Sequence, residues 1–449
     1  MKDYKIVRLA ALHGLDVSHL LSTIYPDFST KSYEEQLGCL FKAKVLYSDG
    51  FSLSMRELGR DAHEIVWDFE SLQRKWAEEN GVRFSNDNWM FDVLMAQIKT
   101  IKPDVVYFQG TELAIPGRFK KLSSNTNFVT ALKEEFPFVR LIAMLSGFPS
   151  KGSRLSDVDV LFSASPSIEQ HYKNIGFPSV LCYHAFDHRV LEILENKNLI
   201  YDFSFVGSAR APEQRYWDLL GLLDRTAIQL WIDEPIIEQR TRYRVFDKKR
   251  FESDLRSQIR NRTKTCLKIV GAGGLELLAG KDRVPRKIRN LAIEIISEIN
   301  SSSQVADNRI QNRNRKIPQR PLRDLYPDRC HNAVLGVDYF GVLNKSRVTL
   351  NKHTDHNNGS VGNLRMFEAT GIGACLLTDS GRNINDLFEP GKEIVTYRSV
   401  DEAVEKVTYL LDHEDERAEI ARAGQTKTLK DHTIFSRCQL IDDVIQSKL

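Results

Sequence analysis

Strand-forming and helix-forming runs alternate over VTLNKHTDHNNGSVGNLRMFEATGIGACLLTDSGRNINDLFEPGKEIVTY, Val348 to Tyr397, and few folds accommodate that rhythm. Val348–Asn351 reads as a strand, Lys352–Gly362 as a polar Gly-rich loop, and Asn363–Thr370 as a helix stopped by Gly371. Ala374–Thr378 is a second strand, Ile384–Phe388 a short helix and Glu393–Tyr397 a third strand. Short apolar strands joined through helices make a parallel α/β layer. The loop is small and polar at Asn357, Asn358, Gly359, Ser360 and Gly362. Such a loop lets backbone N–H groups approach an anion at the positive end of the helix dipole. Glu368 follows Arg365 by three residues, on the same helix face. A carboxylate there accepts two hydroxyl donors, as a ribose diol requires. The pattern points to a nucleoside diphosphate at a helix N-terminus with its sugar ring beside a carboxylate.

The same stretch carries a resemblance. NLRMFEATGIGACLLTD, LFEPGKEIVTYRSVDEAVEKVTYLL and AGQTKTLKDHTIFSRC resemble the C-terminal half of the bacterial glycosyltransferases related to spore-maturation protein CgeB. Those belong to the wider group 1 glycosyltransferases of GT-B fold. The likeness is strong over about residues 330–440 and looser over 30–235. It implies an α/β GT-B architecture, two Rossmann-like doubly wound parallel-sheet domains facing a cleft. It also implies metal-independent transfer of a sugar from a nucleotide-diphosphate sugar to a glycan, lipid-linked or other hydroxyl acceptor, in polysaccharide biosynthesis, with no cofactor. Glu368 takes the place of the ribose-binding carboxylate. The chain departs from the group 1 pattern at Ser360, eight positions earlier, where a second acidic residue is usual. A nucleotide-sugar epimerase or hydrolase on the same fold, and a non-catalytic nucleotide- or glycan-binding protein, are the rival readings.

At 449 residues, with 42% apolar and 27% charged content, the chain has room for two domains that each bury a core. No apolar run approaches the roughly 18 residues of a membrane span. MKDYKIVRLAALHG lacks a signal-peptide core and cleavage site, so a cytoplasmic protein is expected. Cys39, Cys182, Cys266, Cys330, Cys375 and Cys438 show no CxxC spacing, which argues against a disulfide framework or zinc site.

Strand candidates at Lys5–Leu9, Glu64–Trp67, Asp104–Phe108, Val139–Met144, Val158–Ser163 and Val180–Tyr183 alternate with helices in the first half. The helices are Ser32–Leu58 (broken near Gly50), Leu72–Glu79, Asp87–Thr100, Asn127–Glu135 and Ser167–Ile175. This is the pattern of a doubly wound parallel sheet. After a charged helical linker, Asp187–Asn198, a second unit opens with strand Asp202–Val206, helix Pro212–Leu223 and strand Ile228–Ile232. Helices at Asp401–Leu411, Glu414–Thr426 and Phe435–Gln446 close the chain. The organisation is therefore a domain at 1–190, a second at 200–430 with an insert at about 234–326, and a last segment at 431–449. The resemblance implies that the first domain holds the acceptor, the second the nucleotide sugar, and that the last helix packs back toward the first.

Lys248 to Arg323 holds 19 Lys and Arg against 7 Asp and Glu. Such a segment reads as a solvated helical protrusion or as a dock for an anionic membrane surface or lipid-linked glycan, with the protein peripheral at the inner face of the membrane. Phe251 is its only aromatic residue, so it lacks the stacking platform that nucleic-acid binding calls for.

Ligands of open α/β sheets sit beyond the carboxyl ends of strands. The donor candidates follow from that rule: Gly207, Ser208 and Arg210 after one strand; Asn351, Lys352 and His353 after another; Thr378 and Asp379 after a third. Gly362, Asn363, Arg365, Phe367 and Glu368 occupy the loop and helix between. Arg365 stands in a first helical turn, where a cation opposes the dipole, and placement against a local rule suggests use. On the acceptor side His13 and Glu112 are the candidates for general base, and His353 is a third catalytic candidate. His353 and His356, with Asp355 between, imitate metal ligands without a supporting cluster, so no metal is expected.

Overall fold

The computed structural model describes residues 3–233 and 321–449, apart from 14, 16, 47, 116–117, 124–125, 150–154, 156, 178, 196–197, 210–212 and 354–357. Among the described residues twelve strands form two six-stranded sheets, parallel throughout. The first contains β1 (Lys5–Ala10), β2 (Asp61–Val66), β3 (Val105–Phe108), β4 (Leu141–Ser146), β5 (Val160–Ser163) and β6 (Ser179–Leu181), in the order β2-β1-β3-β4-β5-β6. The second contains β7 (Tyr201–Ser208), β8 (Gln229–Asp233), β9 (Cys330–Asn332), β10 (Ser346–Asn351), β11 (Cys375–Asp379) and β12 (Val395–Tyr397), in the order β12-β11-β10-β7-β8-β9. The expected α/β fold of two Rossmann-like sheets is therefore present. The sheets read as near-continuous apolar runs because helices cover both faces. β3 and β5, for example, are buried at every position.

Each sheet has one place where the order reverses, between β1 and β3 in the first and between β7 and β10 in the second. Connections leave such a pair toward opposite faces, which opens a crevice at the carboxyl ends. The two switch points decide where ligands can enter.

The chain's last helix, Ile434–Lys448, buries Ile434, Cys438, Ile441 and Ile445 against Tyr4, Ile6 and Phe51 of the first sheet's layer. Asp442 on that helix accepts from the Tyr4 hydroxyl and pairs with Arg60 at 2.9 Å. The terminal helix thus fastens the end of the chain to its beginning. Cys39, Cys182, Cys330, Cys375 and Cys438 are buried. Residues 234–325 form a separate unit, of which a short helix, Leu322–Leu325, is described. The basic segment falls almost wholly outside the described residues. Among the described residues no helix is long and apolar enough to cross a membrane.

Several local expectations need correction. The break expected near Gly50 in the helix Ser32–Leu58 is wider than one residue: the helices are Tyr33–Lys42 and Gly50–Glu57, with left-handed backbone at Lys44, Leu46 and Ser48 between them. The linker Asp187–Asn198 holds a single 3-10 turn, His188–Glu192, instead of a helix. The helix after the Gly-rich loop runs Leu364–Ile372 and stops at Gly373, whose φ of 82° suits glycine. Gly371 lies inside it for a packing reason: a Cβ there would come within 2.3 Å of the Phe186 ring.

Candidate functional site

The switch point of the second sheet brings the donor candidates together. β7 ends in Gly207 and Ser208, and β10 beside it ends in Asn351, followed by Lys352 and His353. The next strand, β11, ends in Thr378 and Asp379. Arg210 and Asn357 lie outside the described residues. Arg215, which sequence reasoning did not select, ties the two central strand ends: its guanidinium donates to the Ser208 and Lys352 carbonyls, both at 3.0 Å. A helical Arg gives no sign in sequence that it is buried.

The helix Leu364–Ile372 begins at this crevice. Its cap, Asn363, has extended backbone and offers its side chain elsewhere, exchanging amide hydrogen bonds of 3.0 and 2.9 Å with Asn351. Asn351 is fully buried and also donates to Thr378 Oγ1 at 3.1 Å. No side chain caps the first turn, and no acidic residue stands in it. The positive end of the dipole is therefore unopposed by the protein.

Arg365 adds a full charge of the same sign at that end. Its guanidinium lies 5.0 Å from the Phe205 ring centroid and reaches Asn351 Oδ1 only at 3.4 Å. It lies close to the Tyr339 hydroxyl and the Glu368 carboxylate, while its Nε is buried without a hydrogen-bond partner. A buried guanidinium nitrogen without a partner is costly, and an anion at this helix end would supply one. Gly207 makes room, since a Cβ at that position would sit 2.2 Å from the Arg365 Nη2. Lys352 differs: its Nζ is 3.1 Å from Asp218 Oδ2, so its charge is already matched.

One helical turn on, Glu368 is 8% exposed and accepts a 2.6 Å hydrogen bond from the Tyr339 hydroxyl. Burial pushes its pKa up to about 7, against the pull of that hydrogen bond and of Arg365. Burial, with the adjacent Glu368 charge, holds the Tyr339 phenol well above its ordinary value. Phe367, in contrast, points into the core, fully buried beside Phe388 and His432. The ligand contact expected of it gives way to packing.

His353 is 5% exposed with both ring nitrogens engaged. Nδ1 lies 2.7 Å from Asp379 Oδ1, and Nε2 lies 3.1 Å from the Gly362 N–H, which donates to it. Burial works to raise the Asp379 pKa, but the hydrogen bonds from His353 and the charge of Lys352 hold it below the usual carboxylate value. Among the described residues no cluster of three His, Cys, Asp or Glu is arranged to hold a metal.

The first sheet's switch point gathers the acceptor-side candidates. His13 follows β1 with a φ of 54°, and Glu112 lies on a 3-10 turn after β3. His13 Nδ1 and Glu112 Oε1 are 3.4 Å apart, both partly exposed. Asp68 fixes the His13 loop by accepting from the Leu12 and His13 N–H groups at 2.7 and 3.0 Å. A cleft of about 520 Å³ runs between the helix Pro166–Asn174 and the Gly-rich loop, with Gln170, Asn174, Asn358, Ser360 and Arg382 in its walls.

Residues 312–443 match the family described as "Glycosyl transferase-like". No curated protein sequence matches the chain. Among solved structures it is similar to Anabaena HepE in complex with UDP-glucose, at 10% identity over 99% of this chain and 100% of that one, with a TM-score of 0.47. Sucrose-phosphate synthase from Thermosynechococcus elongatus gives 8% identity, 99% of each chain and 0.48. A UDP-N-acetylglucosamine 2-epimerase homologue from Listeria monocytogenes gives 9%, 99% and 96%, and 0.43. At such identities and scores none of them assigns a substrate here. Residues 312–443, which carry β9 to β12 and the helix Leu364–Ile372, are thus glycosyl transferase-like, on a fold of two parallel six-stranded sheets.

Proposed function

We propose that the chain moves a sugar from a nucleotide-diphosphate sugar to an acceptor hydroxyl, with the donor at the β7/β10 switch point and the acceptor over the first sheet. The observation that carries the donor side is Arg365, a partly buried cation with an unpartnered Nε at the uncapped N-terminus of Leu364–Ile372. In the transfer, the bond from the anomeric carbon to the distal phosphate oxygen breaks and one from that carbon to the acceptor oxygen forms. Negative charge grows on the departing diphosphate, where the helix end, the Gly362–Leu364 backbone and Arg365 receive it. Arg210 and Lys352 stand as secondary cations, the latter weakened by Asp218. Glu368 accepts from the ribose diol, and Asn351, Thr378 and Asp379 hold the floor of the crevice.

The His13–Glu112 pair is the base that takes the proton from the acceptor hydroxyl if the reaction inverts the anomeric centre; the departing diphosphate can take it otherwise. A glycan or lipid-linked hydroxyl is the acceptor class in this reading, and the excess of cations over 248–323 supports an anionic surface as its setting. A thermal-shift series of the purified chain with UDP, GDP, dTDP, ADP and CMP, repeated on Glu368→Ala, tests the donor side. A shift with one diphosphate that the substitution abolishes supports the assignment, and no shift with any nucleotide refutes it.

A further inference from the structure

We propose that His353 and Asn383 are positioning residues, which hold the backbone of residues 359–362 in the shape the diphosphate meets. The proposal rests on the donor reading above. Residues 358–362 form no helix or strand, and Asn358, Gly359 and Gly362 adopt positive φ. A segment of that kind keeps one shape only if something else bonds its backbone.

The segment after β11 does so from behind. The Arg382 N–H donates to the Gly359 carbonyl at 2.9 Å. Asn383 acts as a two-sided clamp on Val361: its Oδ1 accepts from the Val361 N–H at 2.7 Å and its Nδ2 donates to the Val361 carbonyl at 3.0 Å. The Asn383 Nδ2 also donates to the Tyr183 hydroxyl at 3.1 Å, so its own amide is used on both sides. His353 completes the set. To accept from the Gly362 N–H, its Nε2 must be unprotonated, and the ring proton then sits on Nδ1 and points at Asp379. Asp379 also accepts the His353 backbone N–H at 2.9 Å, which orients the ring from both ends.

His353 is 5% exposed and Asn383 7%, so neither serves as a solvated loop residue. With both nitrogens committed, His353 is a poor proton carrier, and the catalytic role expected from sequence is replaced by this one. Fixing a loop in its bound shape removes the ordering cost from the binding step.

The test is calorimetric titration of inorganic pyrophosphate into the full chain, a probe that needs no knowledge of the base. It compares wild type with His353→Ala, His353→Gln, Asn383→Ala and Arg365→Met. Melting temperature and hydrogen exchange of the 359–364 amides are read on each. We expect about tenfold weaker pyrophosphate binding in His353→Ala and Asn383→Ala, the equivalent of about 1.4 kcal/mol of lost preorganisation. Faster exchange at 359–364 should accompany it in chains that remain folded. Gln offers one donor and one acceptor, so His353→Gln should recover most of the affinity. Wild-type affinity in both alanine variants, with Arg365→Met weakened, overturns the positioning role and leaves the donor site standing. If His353→Ala does not fold, Asn383→Ala decides alone. If wild type binds neither pyrophosphate nor any nucleoside diphosphate, the donor reading itself falls, and the positioning role with it.

Discussion

Arg365→Met separates a binding residue from a structural one by the sign of two effects. Methionine keeps an unbranched chain over the Phe205 ring and removes the charge. In the free protein four contributions change. The cation–π contact is lost, at about 0.5–1 kcal/mol. The interaction with the Tyr339 hydroxyl is lost too, at about 0.5–1 kcal/mol. The 3.4 Å contact to Asn351 is too long to count for much. Against these, the buried Nε without a partner disappears, and relief of such a group is worth about 1–3 kcal/mol. The balance runs from a loss of about 1 to a gain of about 2 kcal/mol, so the melting temperature should change little or rise. With diphosphate present the direction reverses. A hydrogen bond to a charged group contributes about 1.5–3 kcal/mol, so Kd should rise roughly 10- to 150-fold. Calorimetric titration of the cognate nucleoside diphosphate, beside urea unfolding of the free protein, measures both. A variant that loses stability by more than about 1 kcal/mol and binds diphosphate like wild type would refute the reasoning.

Glu368 supplies a pH prediction. Its folded pKa of about 7 stands above that of an unfolded Glu, so the folded state holds the proton more tightly. That contribution is fully present below the unfolded pKa and is lost as pH rises through 7, by up to about 3 kcal/mol. Glu368→Gln should flatten the fall in unfolding free energy between pH 5 and pH 8, and an unchanged slope counts against the raised pKa. Because a ribose diol needs the ionised carboxylate, donor affinity should rise from pH 6 to pH 8 in wild type and stay level in Glu368→Gln. Gly371→Ala places a methyl group against the fully buried Phe186 ring and should cost about 1–3 kcal/mol in urea unfolding. A neutral result there would mean that the ring has room to move. His13→Ala and Glu112→Gln should lower turnover while leaving diphosphate affinity within about twofold, as expected for groups on the other sheet. A matching loss of donor affinity would remove them from the acceptor side.

The strands were legible because each is a short aliphatic run bounded by turn residues, and the expected strands appear within a few positions. β9 was missed, since Cys330–Asn332 is only three residues long and carries no apolar alternation. The helix Gly336–Asn344 was also missed: it opens on a glycine at φ 60°, which in sequence looks like a break. Gly50 announces a break in the helical pattern over Ser32–Leu58, but the left-handed Lys44, Leu46 and Ser48 that widen it carry no such mark. Arg365 and Glu368 were found through spacing on one helix, a local signal. Tyr339, Arg215 and Asn383 act across long sequence separations, and a single chain without strand order gives no hint of such partners. Strand order was also what gave meaning to His13 and Glu112. Each was selected singly, and the reversal between β1 and β3 brings them within 3.4 Å of each other.

The central claim is that a nucleoside diphosphate sits at the N-terminus of Leu364–Ile372. A crystal structure of the protein grown with the diphosphate selected by thermal shift tests it most directly. The account predicts both phosphates within hydrogen-bond distance of the Gly362–Arg365 backbone N–H groups and the Arg365 guanidinium, with the ribose hydroxyls on Glu368. Diphosphate bound elsewhere, with Arg365 making no contact to it, would contradict it.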